Sequence, residues 1–151
     1  MTFAPDAVSW LMATQAAATF AMTGVIWLVQ MVQYPAFRQV GAAEFGPFHQ
    51  HHCRAIGYVV GPLMLIELFT AVLLAWSGQP LWFWRSMLGV LVLVWLSTGL
   101  VQGPLHSRLA REGPRADLLD SLVRGNWLRT VAWTARSAGL VWFYARGWAL
   151  S

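Results

Sequence analysis

The chain contains no lysine, a single cysteine and few charged residues. All ten basic residues are arginines, which excludes a Walker-A lysine, Schiff-base chemistry and a Ser–Lys dyad. The one cysteine, Cys53, excludes an intramolecular disulfide and a CxxC redox pair. Charged residues make up 11% of the 151 residues and hydrophobic residues 58%, whereas soluble domains carry about 25% and about 45–50%. The composition therefore argues against a soluble protein.

Four apolar stretches are long enough to cross a membrane, which takes about 20 residues. We therefore predict an all-α fold, an integral membrane four-helix bundle that forms one transmembrane domain over residues 1–151. A tight turn from Ser77 to Pro80 makes the second and third helices antiparallel neighbours. The predicted helices cover residues 7–33, 47–76, 81–102 and 127–146, and a short amphipathic helix covers 114–124 and ends at Gly125.

The arginines predict the orientation of these helices. Most of them lie in or beside two long connections, residues 34–53 and 103–126. The positive-inside rule places both connections in the cytoplasm and both termini outside, as in a bacterial inner membrane protein. The same asymmetry accounts for the net charge of +4. The expected partner is therefore the lipid bilayer, and no nucleic acid is needed to explain the charge.

Two helical hairpins resemble each other in sequence. The first helix ends in Val-Gln-Tyr-Pro at Pro35, and the third ends in Val-Gln-Gly-Pro at Pro104. The helices that follow open on Arg54 and Arg129. This pattern predicts an internal repeat of two parallel hairpins. The alternative is convergence on the same helix-end chemistry, in which proline ends a helix and arginine reaches the headgroups.

All four histidines lie toward the predicted cytoplasmic side. His49, His52 and Cys53 share one helix face, and His106 follows the third helix at a similar depth. These side chains are candidate ligands for a transition metal, and His52 and His106 are also candidate ligands for a haem. The alternative is a set of solvated histidines at the membrane interface, without a cofactor.

Glu67 is predicted near the bilayer midplane, about 20 Å along the helix from Arg54. A carboxylate there needs a partner, a proton or water. Arg136 lies about 10 Å into the fourth helix, so tilt and a long side chain are needed to bring the two together. The pair is either a structural ion pair or, with His106, part of a catalytic site. In a third alternative Glu67 is protonated and Arg136 reaches inward alone.

Other polar side chains gather in the same half of the predicted membrane domain. They suggest a polar pocket that opens to the cytoplasm, with His52 and His106 at its mouth and Glu67 at its floor. The predicted pocket residues are Gln30, Gln33, Tyr58, Thr98 and Gln102.

A short segment of the chain resembles a known family. Thr98-x3-Gln102-x-Pro104-x-His106, followed by Asn126-Trp127-x-Arg129-Thr130, is distantly similar to the anthrone-oxygenase-like family of small four-helix membrane proteins. The chain as a whole, from Val32 to Arg136, looks closer to uncharacterised bacterial membrane proteins. The resemblance implies oxidation or oxygenation of a lipophilic aromatic molecule.

Three functions agree with these features. The first is an oxidoreductase-like membrane protein with a pocket for a small lipophilic substrate, in which Glu67 accepts a proton or anchors the substrate. The second is a small transporter or permease, which predicts a homodimer because four helices are few for a path. The third is a non-catalytic subunit of a membrane complex. The sequence does not decide whether the protein is an enzyme.

Overall fold

The structure, a computed structural model, describes residues 5–147. All secondary structure in this range is helical, as predicted. Two π-helical segments, Val29–Gln33 and Thr98–Gln102, and a 3-10 turn, Phe37–Gln39, connect parts of it. Both ends of the predicted domain, 1–4 and 148–151, lie outside the described residues. The helices are α1 (Pro5–Leu28), α2 (Tyr34–Ala36), α3 (Ala42–Ser77), α4 (Leu81–Ser97), α5 (Gly103–Glu112) and α6 (Ala116–Ala145).

Three helical stretches are long and apolar enough to cross a membrane, namely Asp6–Gln39, Ala42–Ser77 and Leu81–Glu112. This agrees with a membrane protein. The fourth predicted span lies in α6, which is not one of the three, because Arg129 and Arg136 lower its hydropathy. That α6 crosses a membrane with the others stays a prediction.

The helices extend further than the hydropathy pattern predicts. α3 begins before Pro47, the predicted start, and α5 continues the third helix to Glu112. The separate helix predicted for 114–124 is wrong, because one helix, α6, runs through Gly125. The two long connections are therefore mostly helical, and within them only 40–41 and 113–115 are not.

α3 is longer than a bilayer is thick. Its 36 residues span about 54 Å, against about 30 Å for a hydrocarbon core. If its apolar part crosses a membrane, the N-terminal turns that carry His49 and Cys53 extend to the interface or beyond it.

Two apolar clusters lie between the long helices, with a polar layer between them. On each of three helices, a buried polar residue lies between a residue of one cluster and a residue of the other. These triplets are Met22, Thr19 and Ala16 on α1, Met64, Glu67 and Leu74 on α3, and Trp133, Arg136 and Leu140 on α6.

The two Val-Gln-x-Pro motifs share one backbone conformation. Each π-helical segment has five residues and ends at the glutamine of the motif, Gln33 or Gln102. The next residue donates its N–H five residues back, from Tyr34 to Val29 and from Gly103 to Thr98. Inside a helix, proline lacks the N–H that would donate to the preceding turn, and its ring clashes with a carbonyl there. The wider π turn accommodates both effects, so the helical chain continues through Pro35 and Pro104.

Candidate metal centre

Three potential metal-ligand atoms lie close together where α5 meets α3. His49 Nε2 is 2.9 Å from His106 Nδ1, and Cys53 Sγ is 3.6 Å from each of these nitrogens. His49 and Cys53 are one helical turn apart on α3, so their side chains share a face. His106 comes from α5, which packs against that face. Among residues 5–147, these side chains form the one His, Cys and carboxylate group that could hold a metal ion.

The spacing of these atoms fits a metal ion. In a tetrahedral zinc site, with zinc–nitrogen bonds of about 2.0–2.1 Å and zinc–sulfur bonds of about 2.3 Å, two nitrogens lie about 3.3 Å apart. A nitrogen and a sulfur then lie about 3.6 Å apart. The two sulfur distances to His49 and His106 match, and the two nitrogens need to separate by about 0.4 Å. Three protein ligands leave a fourth position for water or substrate.

His106 and His49 are oriented by aromatic neighbours. The Tyr34 hydroxyl lies 3.0 Å from His106 Nε2, the ring nitrogen that faces away from Cys53. The ring of His49 stacks on Phe45, with centroids 5.4 Å apart. Metal-bound histidines commonly hydrogen-bond through their other nitrogen, which sets the tautomer and the ring orientation. Tyr34 therefore holds His106 with Nδ1 directed at the candidate metal position.

His52, predicted as a ligand, is not part of this group. Successive helix residues are turned by about 100° about the axis, so His52 and Cys53 point in different directions. The ring of His52 instead packs edge-on against Phe37, with centroids 5.0 Å apart. The geometry does not favour the haem alternative, because the cavity between His52 and His106 holds only about 180 Å³. A cavity of about 150 Å³ accommodates one benzene.

Two cavities meet at His106. An open cavity of about 510 Å³ lies on the side of the candidate ligand atoms and is lined by Gly46, His49, Gln50, Cys53, His106, Ser107 and Ala110. An inner cavity of about 180 Å³ lies on the other side, toward Tyr34 and Arg129. His106 therefore separates a site that is open to the surroundings from a smaller, more enclosed one.

Glu67 and Arg136 form a buried ion pair in the polar layer. Arg136 Nη2 and Nε lie 3.0 Å and 3.2 Å from Glu67 Oε1, and both side chains are almost fully buried. Thr19 donates to the same oxygen at 2.6 Å, and the Trp133 indole donates to Oε2 at 2.9 Å. Arg136 also donates to the Met87 carbonyl. Both oxygens of Glu67 are therefore engaged, and the geometry favours the structural alternative.

This ion pair lies far from the candidate ligands. Glu67 follows Cys53 on α3 by a rise of about 21 Å, and it does not line either cavity at His106. The structure therefore does not bring Glu67 and Arg136 together with His106, as the predicted catalytic set required. The depth difference expected between Glu67 and Arg136 themselves is closed by direct contact.

The five predicted pocket residues have different outcomes. Thr98 and Gln102 line the inner cavity. Gln33 lines an apolar groove beside it. Gln30 is buried, but it accepts a hydrogen bond from Asn126 at 2.9 Å and links the first π-helical segment to α6 rather than lining the cavity. Tyr58 is 75% exposed, so its prediction as a pocket residue is wrong.

Two polar residues of the inner cavity, Tyr34 and Arg129, are not among the predicted site residues. The sequence identifies Arg129 as the residue that opens the fourth helix of the predicted repeat, and Tyr34 as part of the Val-Gln-x-Pro helix end. Both line the cavity and both are buried. A signal for Arg129 was present, because it belongs to the Asn-Trp-x-Arg-Thr segment of the family resemblance. For Tyr34 the signal was its place in the Val-Gln-x-Pro motif.

Comparison of the chain with protein-family models, with curated proteins and with solved structures finds no match. The functional argument therefore depends on the geometry described above.

Proposed function

We propose that this protein is a membrane-embedded, metal-dependent, oxidoreductase-like protein that acts on a small lipophilic molecule. The observation that carries the proposal is the convergence of His49 Nε2, Cys53 Sγ and His106 Nδ1, all within 4.8 Å of one another. Two separate helices supply these atoms, and they bring one thiol and two imidazoles to a single point.

The donor set favours copper. Two histidines and one cysteine, with a weak or open further position, are the ligands of copper electron-transfer sites. Copper also binds such donors more tightly than other divalent first-row metals. Copper exchanges one electron between Cu(II) and Cu(I), which suits an oxidoreductase. Zinc accepts the same ligands but has no redox chemistry, and in this site it would act as a Lewis acid.

An apolar groove of about 410 Å³ between α1 and α3 can hold a lipophilic molecule beside the inner cavity. Exposed Leu28, Val32 and Val59 line this groove, on surfaces that would face lipid in a bilayer. The groove shares Val25, Val29, His52 and Ile56 with the inner cavity. A molecule dissolved in the bilayer can thus approach His106 from the side opposite the metal.

The finer features of the predicted architecture belong to the same proposal. These are a four-helix bundle in a bacterial inner membrane, the two helix connections on the cytoplasmic side and two duplicated hairpins. The matching π-helical segments support the duplication. The distant resemblance to anthrone-oxygenase-like proteins implies the same broad class of reaction. The transporter alternative is less favoured, because Glu67, its coupling carboxylate, is engaged by Thr19, Trp133 and Arg136.

Elemental analysis and an absorption spectrum of the protein, purified in mild detergent, test this proposal. We expect about one copper per chain and, in the oxidised state, a visible thiolate-to-copper absorption band. Cys53→Ser should abolish the band, because the band requires the sulfur ligand. His51→Ala, which changes an exposed histidine on the same helix, is the matched control and should retain both signals.

Two results would overturn the proposal. One zinc per chain in a colourless protein would contradict an oxidoreductase function and indicate a Lewis-acid centre instead. If the protein neither contains nor takes up a metal, the assignment of a metal centre is contradicted as well.

A further inference from the structure

Arg129 is a buried cation without an anionic partner. Its side chain is 6% exposed, its Nε has no hydrogen-bond partner, and its guanidinium lies 5.5 Å from the Trp133 ring centroid. Within residues 5–147, no carboxylate lies at ion-pair distance from Arg129. Tyr34 hydrogen-bonds the guanidinium, but a phenol hydroxyl supplies no carboxylate counter-charge. Burying a charge without a counter-charge is costly.

Gln102, another residue that lines the inner cavity, has a second unsatisfied buried group. Its side chain is 2% exposed, and neither its amide nitrogen nor its amide oxygen has a partner. It lies against Gly125 of α6, where a Cβ atom would come within 3.0 Å of the amide nitrogen. Most buried polar groups in folded proteins are hydrogen-bonded, so two such residues at one cavity indicate a missing partner.

The rest of the inner cavity is mostly apolar and small. Met22, Val25, Ile26, Ile56 and Val60 form much of its wall. Its volume of about 180 Å³ slightly exceeds the roughly 150 Å³ of a cavity that binds benzene. The cavity therefore fits a molecule with a compact apolar body and one polar end.

We propose that the inner cavity binds a small lipophilic carboxylate, whose charged end lies against Arg129 and Gln102. A guanidinium can face both oxygens of a carboxylate with Nε and a terminal nitrogen. The Gln102 amide adds a further donor. The apolar body of the ligand then lies among the aliphatic side chains, within reach of the groove between α1 and α3.

That the bound carboxylate is the substrate rests on the proposed function. Binding of the carboxylate to Arg129 and Gln102 needs no metal. His106 lines this cavity and is also a candidate metal ligand. A carboxylate held by Arg129 would therefore lie beside the metal centre.

Isothermal titration of the protein in mild detergent with benzoate tests the inference. Benzoate should bind, while benzamide, which has nearly the same shape and no charge, should bind at least about 10-fold more weakly, because a hydrogen bond between charged groups is worth about one to two orders of magnitude in affinity. Arg129→Met should weaken benzoate binding by a similar factor. Arg124→Met, which removes an exposed arginine of the same helix, should leave the affinity unchanged.

Stability separates a binding role of Arg129 from a structural one. Without ligand, Arg129→Met should be at least as stable as the unaltered protein, because methionine removes an unpaired buried charge. Gln102→Leu should likewise keep the fold while weakening benzoate binding. A large loss of stability in Arg129→Met would make the arginine structural and overturn the inference.

Other outcomes are equally decisive. Equal affinity for benzoate and benzamide would overturn the inference, and so would tighter binding of inorganic phosphate than of benzoate, since that would indicate a phosphate site. Metal content is measured on the same samples. Bound metal without benzoate binding defeats this inference alone, and benzoate binding without metal defeats the proposed function alone.

Discussion

Replacing His106 by alanine is expected to weaken metal binding by more than about 100-fold, so that the purified protein contains no stoichiometric metal. His106 Nδ1 is one of three atoms that converge on the candidate site. Losing a hydrogen-bond partner of a ligand already costs about 10- to 100-fold in affinity, and losing the ligand itself costs more. Elemental analysis and competition with a chelator of known affinity measure the change.

Two other histidines provide the controls for this variant. His51→Ala should keep the metal, because His51 is exposed and lies on another face of α3. His52→Ala should keep it too, because His52 packs on Phe37 rather than at the candidate site. Loss of metal in His52→Ala with retention in His49→Ala would contradict the assignment of ligands.

Replacing Glu67 by leucine is expected to lower the free energy of unfolding by about 3–5 kcal/mol, because Arg136 is left buried without its counter-charge. The variant also removes the acceptor for Thr19 and for Trp133. Chemical or thermal unfolding in the same detergent measures the effect. Metal content should not change, because Glu67 lies about 21 Å along α3 from Cys53.

A double variant tests whether the effect comes from the unpaired charge. Glu67→Leu with Arg136→Met should recover much of the lost stability, since apolar groups of similar size often replace a buried ion pair without loss. Asp120→Asn, which breaks the exposed pair with Arg38, should change stability by less than about 1 kcal/mol. If Glu67→Leu keeps normal stability but loses the oxidation of a lipophilic substrate that the unaltered protein catalyses, the result would instead support a catalytic role of Glu67.

Much of the fold could be predicted from hydropathy, because long apolar runs between polar segments have few structures other than helices. The helix ends could not be predicted in this way. Hydropathy falls where a helix leaves an apolar environment, while its backbone hydrogen bonds continue. Gly125 illustrates this, because glycine commonly ends helices but here it lies inside α6, where a Cβ atom would be only 3.0 Å from the Gln102 amide nitrogen.

The candidate site could be predicted in part. His49, Cys53 and His106 were proposed as ligands from their residue types and depth. The prediction includes His52 because helical spacing places it on the same broad face as His49 and Cys53. Spacing alone does not show which part of that face α5 contacts. Arg129 was overlooked because an arginine near a helix end is normally explained by topology. Only tertiary contacts reveal that it is buried and has no counter-charge.

X-ray absorption spectroscopy at the metal edge tests the central claim most directly. We expect one sulfur neighbour and two imidazole nitrogens in the first coordination shell of the metal, with the sulfur contribution absent in Cys53→Ser. A bound metal with only oxygen and nitrogen neighbours in the unaltered protein would contradict the claim that His49, Cys53 and His106 form the metal centre.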